Sequence, residues 1–134
     1  MNNRQKNILL SLDIGTQSVR ALAFSKSGEL IDFSRIEYHP VYLSDNPGWA
    51  EQDPEYYWQS LSLACRDLWK KGIVSPHAIT AVSITAQRAT VVNLDESGLP
   101  LRPAILWLDQ RKAEKVPKLG LFWRLIFGIS RLRH

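Results

Sequence analysis

Alternating runs of apolar and polar residues divide the beginning of the chain into three predicted strands. Residues 8–12 (ILLSL) indicate a buried strand, and residues 19–24 (VRALAF) indicate a second. The turn SKSGEL then leads into a third strand from about Leu30 to Tyr38. Because strands joined by short turns pair antiparallel, we predict a three-stranded antiparallel meander.

The next predicted element is a helix with both of its ends marked in the sequence. Asp53 is placed as the N-cap, and Pro54 occupies the first helical position, where its missing N–H costs nothing. Gly72 follows two lysines as the stop signal. Between these ends, residues at helical spacing predict the side that faces the core: Tyr57, Trp58, Leu61, Cys65, Leu68 and Trp69.

Further apolar runs follow the helix. AITAVSIT (78–85) predicts a strand, ATVVNLD (89–95) predicts another, and ESGLP predicts a turn before LRPAILW. Three antiparallel strands, a crossover helix and a further strand predict an α/β domain with a mixed sheet. The polar turn between the first two strands then lies at one edge of the sheet, where a ligand can reach it.

Composition is that of one soluble globular domain. The 134 residues are 45% hydrophobic and 22% charged. No run approaches the ~20 apolar residues that span a bilayer, and the opening MNNRQKN lacks the apolar core of a secretory signal. The single cysteine, Cys65, excludes an internal disulfide framework and gives no metal-type spacing. We therefore expect a cytoplasmic protein with no membrane partner.

The formal net charge of +4 is unevenly placed. Residues 111–134 hold seven lysines and arginines against one glutamate, a net +6, and residues 1–110 carry a net −2. A basic segment of this kind can contact nucleic acid or anionic lipid. Within LGLFWRLIFGISRLRH, however, the arginines recur among dense apolar residues, which predicts an amphipathic helix that packs on another surface. We therefore expect no nucleic-acid partner.

The polar turn, DIGTQSVR, has the chemistry of a phosphate-binding loop. A carboxylate such as Asp13 can hold a hydrated Mg²⁺, because that ion keeps several waters. Gly15 lets the backbone approach a bulky anion. Donors suited to phosphate oxygens follow: Thr16, Gln17, Ser18 and Arg20. The same residues also fit an ordinary turn in which the aspartate side chain accepts hydrogen bonds from nearby backbone N–H groups.

Four motifs in order make the interpretation more specific. The turn, PGWAEQDP, SITAQR and WLDQR together resemble the amino-terminal part of the FGGY carbohydrate kinases, over residues from about 8 to 111. The resemblance implies an actin-like, ribonuclease-H-like fold of two domains around a cleft, with ATP, Mg²⁺ and a sugar or polyol as ligands. In the family's pattern the first hairpin faces the nucleotide phosphates and the metal, and it is matched here by Asp13, Gly15, Thr16, Gln17, Ser18 and Arg20.

The later motifs imply the sugar side of the cleft. Gln87 and Arg88 match the Asn-Gln-Arg-Glu of the glycerol kinase branch, but Ala89 replaces the glutamate that would accept from polyol hydroxyls. This departure favours a polyol or ketose other than glycerol. The resemblance also places Trp49 and Asp109 at the substrate side. Alternatives stay open: a surface ion pair for the arginine, an aromatic loop anchor for the tryptophan, and a supporting role for the aspartate.

One part of the family's chemistry has no match. The aspartate that accepts the proton of the sugar hydroxyl lies in a later motif, so we assign no catalytic residue to this chain. We divide the chain into a flexible start (1–7), a partial kinase domain (8–111) and a basic amphipathic segment truncated within a helix (112–134). We expect a kinase fragment that is inactive alone; homo-oligomerisation of the intact enzyme is left open. The alternative is a non-catalytic actin-fold module that binds a ligand or a partner.

Overall fold

The structure, a computed structural model, describes residues 7–112 and residue 120. The described part contains six strands, one α-helix and a short 3-10 helix. In chain order they are β1 (Ile8–Ile14), β2 (Ser18–Phe24), β3 (Leu30–Glu37), β4 (Glu51–Gln52), α1 (Pro54–Lys70), the 3-10 helix (Pro76–Ala78), β5 (Ile79–Ala86) and β6 (Ala104–Ile105). The basic amphipathic segment predicted for residues 112–134 lies almost wholly outside the described residues.

The main sheet has four strands in the order β3-β2-β1-β5. β1 pairs antiparallel with β2, and β2 pairs antiparallel with β3, which confirms the predicted meander. β5 pairs parallel with β1. A parallel pair needs a long crossover connection, and the segment that contains α1 supplies it. The predicted α/β fold with a mixed sheet is therefore confirmed.

The core lies between α1 and one face of the meander. Alternate positions of β1 and β2 point to this face, because successive side chains of a strand point to opposite sides. The buried strand residues include two alanines, whose small side chains let the helix approach the sheet. The core set is Ile8, Leu10, Leu12, Val19, Ala21, Ala23, Tyr38, Leu61, Ala64, Leu68 and Val74.

The ends of α1 follow their sequence signals. The Asp53 side chain accepts a hydrogen bond of 2.9 Å from the backbone N–H of Glu55. Gly72 has a φ of +72°, a left-handed conformation that favours glycine, and follows the last turn. One helix prediction was wrong: Trp58 is 64% exposed. It lies about 100° around the axis from the centre of the buried stripe, which runs through Ser60, Leu61, Ala64 and Leu68.

The segment after β5 differs from its prediction. Residues 89–95 form no strand; they contribute only isolated bridges, Val91 to Ile105 and Leu94 to Pro100. The predicted turn is present, with the Leu99 N–H donating to the Asp95 carboxylate at 2.9 Å. The β-branched residues here remain largely exposed. Strand propensity depends on packing against neighbouring residues, and no layer of the described residues covers this segment. Within the described residues, α1 is too short and too polar to cross a membrane.

Candidate active-site cleft

An open cleft of about 610 Å³ lies at the carboxyl ends of the parallel strands β1 and β5. Such a volume accommodates a small ligand, and ligands of open α/β sheets bind outside the carboxyl ends of the strands. One wall is the β1–β2 turn, and the other follows β5. The lining residues are Asp13, Ile14, Gly15, Thr16, Thr85, Ala86, Gln87, Arg88, Ala89 and Trp107.

The β1–β2 turn is tight because of Gly15. Its N–H donates to the carbonyl of Ser18 at 3.0 Å. A Cβ on residue 15 would lie 3.1 Å from that same carbonyl oxygen, closer than side chains normally come. Glycine avoids this tight contact, and the turn leaves the Gly15–Thr16 segment on the cleft wall.

Asp13 is held from two sides at the floor of the cleft. Arg20, its register partner on β2, donates to one carboxylate oxygen. Thr85, its register partner on β5, donates to the other at 3.0 Å. The guanidinium predicted to bind phosphate is thus placed on the carboxylate, and Arg20 does not line the cleft.

The predicted phosphate-binding residues divide into two groups. Gly15 and Thr16 line the cleft, whereas Gln17 and Ser18 do not. Gln17 is exposed, and its carbonyl accepts from the Tyr38 N–H at 2.9 Å. The Ser18 residue is only 2% exposed within β2. Direct contact of a ligand with these side chains therefore centres on Thr16.

The wall after β5 carries the predicted sugar-side residues. The amide of Gln87 donates to the Gly15 carbonyl at 2.9 Å, and its oxygen accepts from Thr90 at 3.0 Å. Both polar ends of Gln87 are therefore used within the protein. Arg88 is exposed and has no salt-bridge partner within residues 7–112, so the surface ion pair considered above is not formed there. Ala89 adopts a left-handed φ of 58°.

Trp49 and Asp109 lie together in a second cluster that does not line the cleft. The Asp109 carboxylate accepts from the Ala50 N–H at 2.8 Å and from two guanidinium nitrogens of Arg111 at 2.7 and 2.6 Å. That guanidinium lies 3.9 Å from the Trp49 ring centre and forms a 2.8 Å ion pair with Glu51. The cluster joins the loop before α1 to the segment after β6.

Asp109 and Arg111 each stabilise the charged form of the other. Hydrogen bonds from Arg111 hold the pKa of the Asp109 carboxyl well below its usual range, and the same bonds raise the pKa of Arg111. The Asp109 side chain is only 3% exposed, so its charge depends on these partners. The Trp49 ring is covered by the same guanidinium, so Asp109 and Trp49 make these contacts within the protein.

Trp107 is a cleft residue that sequence reasoning did not select. Its indole is 55% exposed and lines the cleft, and its Nε1–H donates to the Thr16 hydroxyl at 2.9 Å. The available signal was its place in the WLDQR motif, two residues before Asp109. Thr85 was missed as well, because its contact with Asp13 depends on the register of two strands that are distant in sequence.

The described residues offer one carboxylate for a metal ion in the cleft. No group of three or more His, Cys, Asp or Glu side chains with metal-binding geometry occurs among residues 7–112. Among the described residues, Asp13 is the single acidic residue in the lining. This donor set fits Mg²⁺, which keeps most of its waters and takes few protein ligands, and does not fit an ion that needs a full set of side-chain ligands.

Comparison with known proteins identifies the family. The profile of the FGGY family of carbohydrate kinases, N-terminal domain, matches residues 8–121, and the chain belongs to this family. A glycerol kinase of Thermococcus onnurineus is 35% identical over 111 residues, covering 83% of this chain and 22% of that protein. A glycerol kinase of Citrifermentans bemidjiense is 41% identical over 115 residues, with 83% and 22% covered.

Solved structures agree with this assignment. A "xyloylose kinase" from Brucella ovis superposes with a TM-score of 0.71 at 30% identity, over 78% of this chain and 21% of that one. Plasmodium falciparum glycerol kinase with ADP gives a TM-score of 0.67 at 25% identity, over 96% and 24%. The described part of the chain therefore has the fold of the matching part of these kinases, and the chain spans about a fifth of the length of the relatives it matches.

Proposed function

We propose that this chain is the amino-terminal part of an ATP-dependent kinase that transfers the γ-phosphate of ATP to a hydroxyl of a sugar or polyol. The observation that carries the proposal is the cleft. It sets the Gly15–Thr16 turn on one wall and Arg88 with Trp107 on the other, at the carboxyl ends of two parallel strands. Phosphate donors and sugar-binding groups thus face one space, as phosphoryl transfer requires.

The phosphate wall works through the backbone and one hydroxyl. Gly15 gives phosphate oxygens close access to the main chain, and Thr16 offers its hydroxyl. The Gln17 side chain lies outside the cleft lining, and Ser18 shapes the turn through its backbone carbonyl. Arg20 acts by keeping the carboxylate of the preceding strand in place.

Asp13 is the residue proposed to hold Mg²⁺, through bound water. When bound, the ion neutralises charge on the phosphate oxygens. The contribution of the chain itself is a carboxylate fixed in orientation by Arg20 and Thr85. Such a carboxylate needs no rearrangement when the phosphates arrive, and this preorganisation favours binding.

The sugar wall is proposed to bind hydroxyl groups through Arg88, whose planar guanidinium can donate two hydrogen bonds to adjacent oxygens. Trp107 offers an apolar face beside it. Gln87 positions this wall against the turn through the Gly15 carbonyl. Trp49 and Asp109 support the cleft from the neighbouring cluster. Ala89 supplies no acceptor for a substrate hydroxyl, and this favours a polyol or ketose other than glycerol.

We propose that the 134 residues alone do not turn over substrate, because the residue that accepts the proton of the sugar hydroxyl lies outside them. In the part of the chain that the structure describes, Asp13 is the one carboxylate that lines the cleft, and it is already paired with Arg20 and Thr85. The proposal includes residues 8–111 as the kinase part, residues 112–134 as a separate basic segment, and a cytoplasmic location.

The test combines binding and turnover on the purified chain. Isothermal titration with Mg-ATP and with glycerol, xylulose and gluconate is expected to show weak binding, with ADP release no faster than without protein. Arg88→Ala is expected to weaken sugar binding and leave ATP binding unchanged, and Thr16→Val is expected to do the reverse. Absence of all binding by a folded chain would contradict the site assignment; sugar-dependent ADP release would contradict the inactivity of the fragment.

A further inference from the structure

One hydrogen bond joins the two walls of the cleft through side chains alone. The Nε1–H of Trp107 donates to the Thr16 hydroxyl at 2.9 Å, across 91 positions of sequence. Both residues line the cleft. The inference drawn from this bond rests on the proposed function, because it concerns how the phosphate wall is prepared for its ligand.

The chemistry of the two groups fixes the direction of the bond. An indole N–H is only a donor, whereas a hydroxyl has one hydrogen and two acceptor lone pairs. Because Trp107 occupies a lone pair of Thr16, the hydroxyl hydrogen has to point away from the indole. Thr16 thereby becomes an oriented donor, which is the polarity that a phosphate oxygen requires.

A second hydrogen bond strengthens the same connection. The Gln87 amide donates to the Gly15 carbonyl at 2.9 Å, so the carbonyl next to Thr16 is also paired with the sugar wall. Gln87 is in turn held by the Thr90 hydroxyl at 3.0 Å. The turn is therefore tied to the sugar wall at two successive residues, one through its backbone and one through its side chain.

We propose that Trp107 is a positioning residue for phosphate binding: its N–H orients the Thr16 hydroxyl toward the phosphate while its indole face borders the sugar side. The side chain thus couples the two ligands. A sugar that immobilises the indole also immobilises the Thr16 donor, so the second ligand meets a wall that is already ordered. Coupling between binding sites is reciprocal, so Mg-ATP raises sugar affinity by the same factor.

The test is a double-mutant cycle on the full 134-residue chain, with Mg-ATP binding as the readout. Trp107→Phe keeps an aromatic face and removes the N–H; Thr16→Val removes the hydroxyl. Each is expected to weaken Mg-ATP binding by about 3- to 10-fold, the net worth of one ordinary hydrogen bond. The double variant is expected to bind no more weakly than either single variant, because the two act as one unit.

Matched controls separate positioning from general damage. Trp58→Phe changes a similarly exposed tryptophan on α1, outside the cleft, and is expected to leave binding unchanged. Thr16→Ser keeps the hydroxyl and is expected to retain most of the affinity. A second readout uses only variants that retain Trp107, so it does not depend on whether Trp107→Phe folds. The Trp107 indole N–H resonance is expected to move in Thr16→Val and to stay in place in Thr16→Ser.

Each result has a distinct meaning. Equal, non-additive losses support the inference. Additive losses, or an unchanged affinity in Trp107→Phe, overturn the inference while the proposed function stands. A Trp107 indole N–H resonance that does not move in Thr16→Val also overturns it. A folded wild-type chain that binds no Mg-ATP overturns the proposed function, and the inference falls with it.

Discussion

Leu12 and Ile84 are register partners on adjacent parallel strands, yet Leu12 is 7% exposed and Ile84 is 63% exposed. Both side chains point to the same face of the sheet. The difference is the cover: α1 packs on β1, β2 and β3, and β5 stays uncovered within the described residues. The described part therefore has a helix-covered half, which is α1 with β1, β2 and β3, and an open half, which is β5 with the residues that follow it.

Different interactions stabilise the two halves. The covered half is held by apolar burial, which is the main favourable term in folding. The open half is held to the covered half by strand pairing and by polar contacts such as those of Thr85 and Trp107. The Asp109–Arg111 cluster holds the segment after β6 to the loop before α1. Because the cleft lies where the halves meet, changes in stability and changes in binding are separable by mutation.

The largest effect is expected from the covered half. Leu68→Ala removes a side chain that is fully buried between α1 and the sheet, and we expect a loss of about 2–5 kcal/mol in the free energy of unfolding. Leu63→Ala, at a half-exposed position of the same helix, is the matched control and should cost about 0.5 kcal/mol or less. Urea denaturation measures both; equal losses would contradict the account of the covered half.

The polar cluster should show a pH dependence that apolar burial lacks. Asp109→Asn removes the carboxylate that holds Arg111 and the Ala50 N–H. Because the native pKa of Asp109 is depressed, its contribution is full above the unfolded pKa of about 3.9 and is lost as pH falls through the lower native value. We expect Asp109→Asn to be less stable than wild type near pH 7.

The measurement for Asp109 is chemical denaturation followed by tryptophan fluorescence from pH 7 down to pH 3. The gap between wild type and Asp109→Asn is expected to begin narrowing below about pH 4 and to close further as pH falls. Leu68→Ala serves as the comparison, since its loss comes from an apolar group and should not follow that titration. A gap for Asp109→Asn that stays constant with pH would show that charge plays no part in the cluster.

A smaller effect is expected at the start of α1. Asp53→Ala removes the side chain that accepts from the Glu55 N–H, with an expected cost of about 1 kcal/mol. Asp53→Ser keeps a capping oxygen and should restore most of this. Thermal unfolding by circular dichroism measures both variants; an Asp53→Ser variant as unstable as Asp53→Ala would argue against capping as the cause.

The smallest effect is expected in the open half, and with the opposite sign. Ala89 has a φ of 58°, a left-handed conformation that costs a residue with a Cβ about 1–2 kcal/mol. Ala89→Gly relieves this cost but increases the conformational entropy of the unfolded chain, which costs about 0.4–1 kcal/mol, so we expect a net gain between about 0 and about 1.6 kcal/mol. Denaturant midpoints measure it, and a clear loss would contradict the strained conformation.

The covered half was largely predictable from the sequence because its signals are local. Strand alternation, the Asp53 cap and the Gly72 stop all act within a few residues, and each was confirmed. The open half was less predictable. Residues 89–95 have strand-forming side chains, but no layer covers them, and strand propensity depends on packing against neighbours.

The position of the candidate cleft was predictable from the sequence, and its contacts were less so. The turn beginning at Asp13 and the residues after β5 were recognised, and the structure brings Gly15, Thr16, Gln87 and Arg88 into one cleft. The pairing of Asp13 with Thr85 and of Thr16 with Trp107 spans 72 and 91 positions. Contacts between residues so far apart depend on the register of the sheet and on the course of the loops. The periodicity of the sequence predicts neither.

Two-dimensional ¹H–¹⁵N NMR of the labelled chain, titrated with Mg-ATP and then with xylulose, tests most directly whether the cleft binds a nucleotide and a sugar side by side. Mg-ATP is expected to shift the amides of Gly15 and Thr16 and the Trp107 indole N–H, the sugar is expected to shift Arg88, and the remote turn at Gly28 is expected to stay unchanged. Shifts confined to residues outside the cleft, or no shifts in a folded chain, would contradict it.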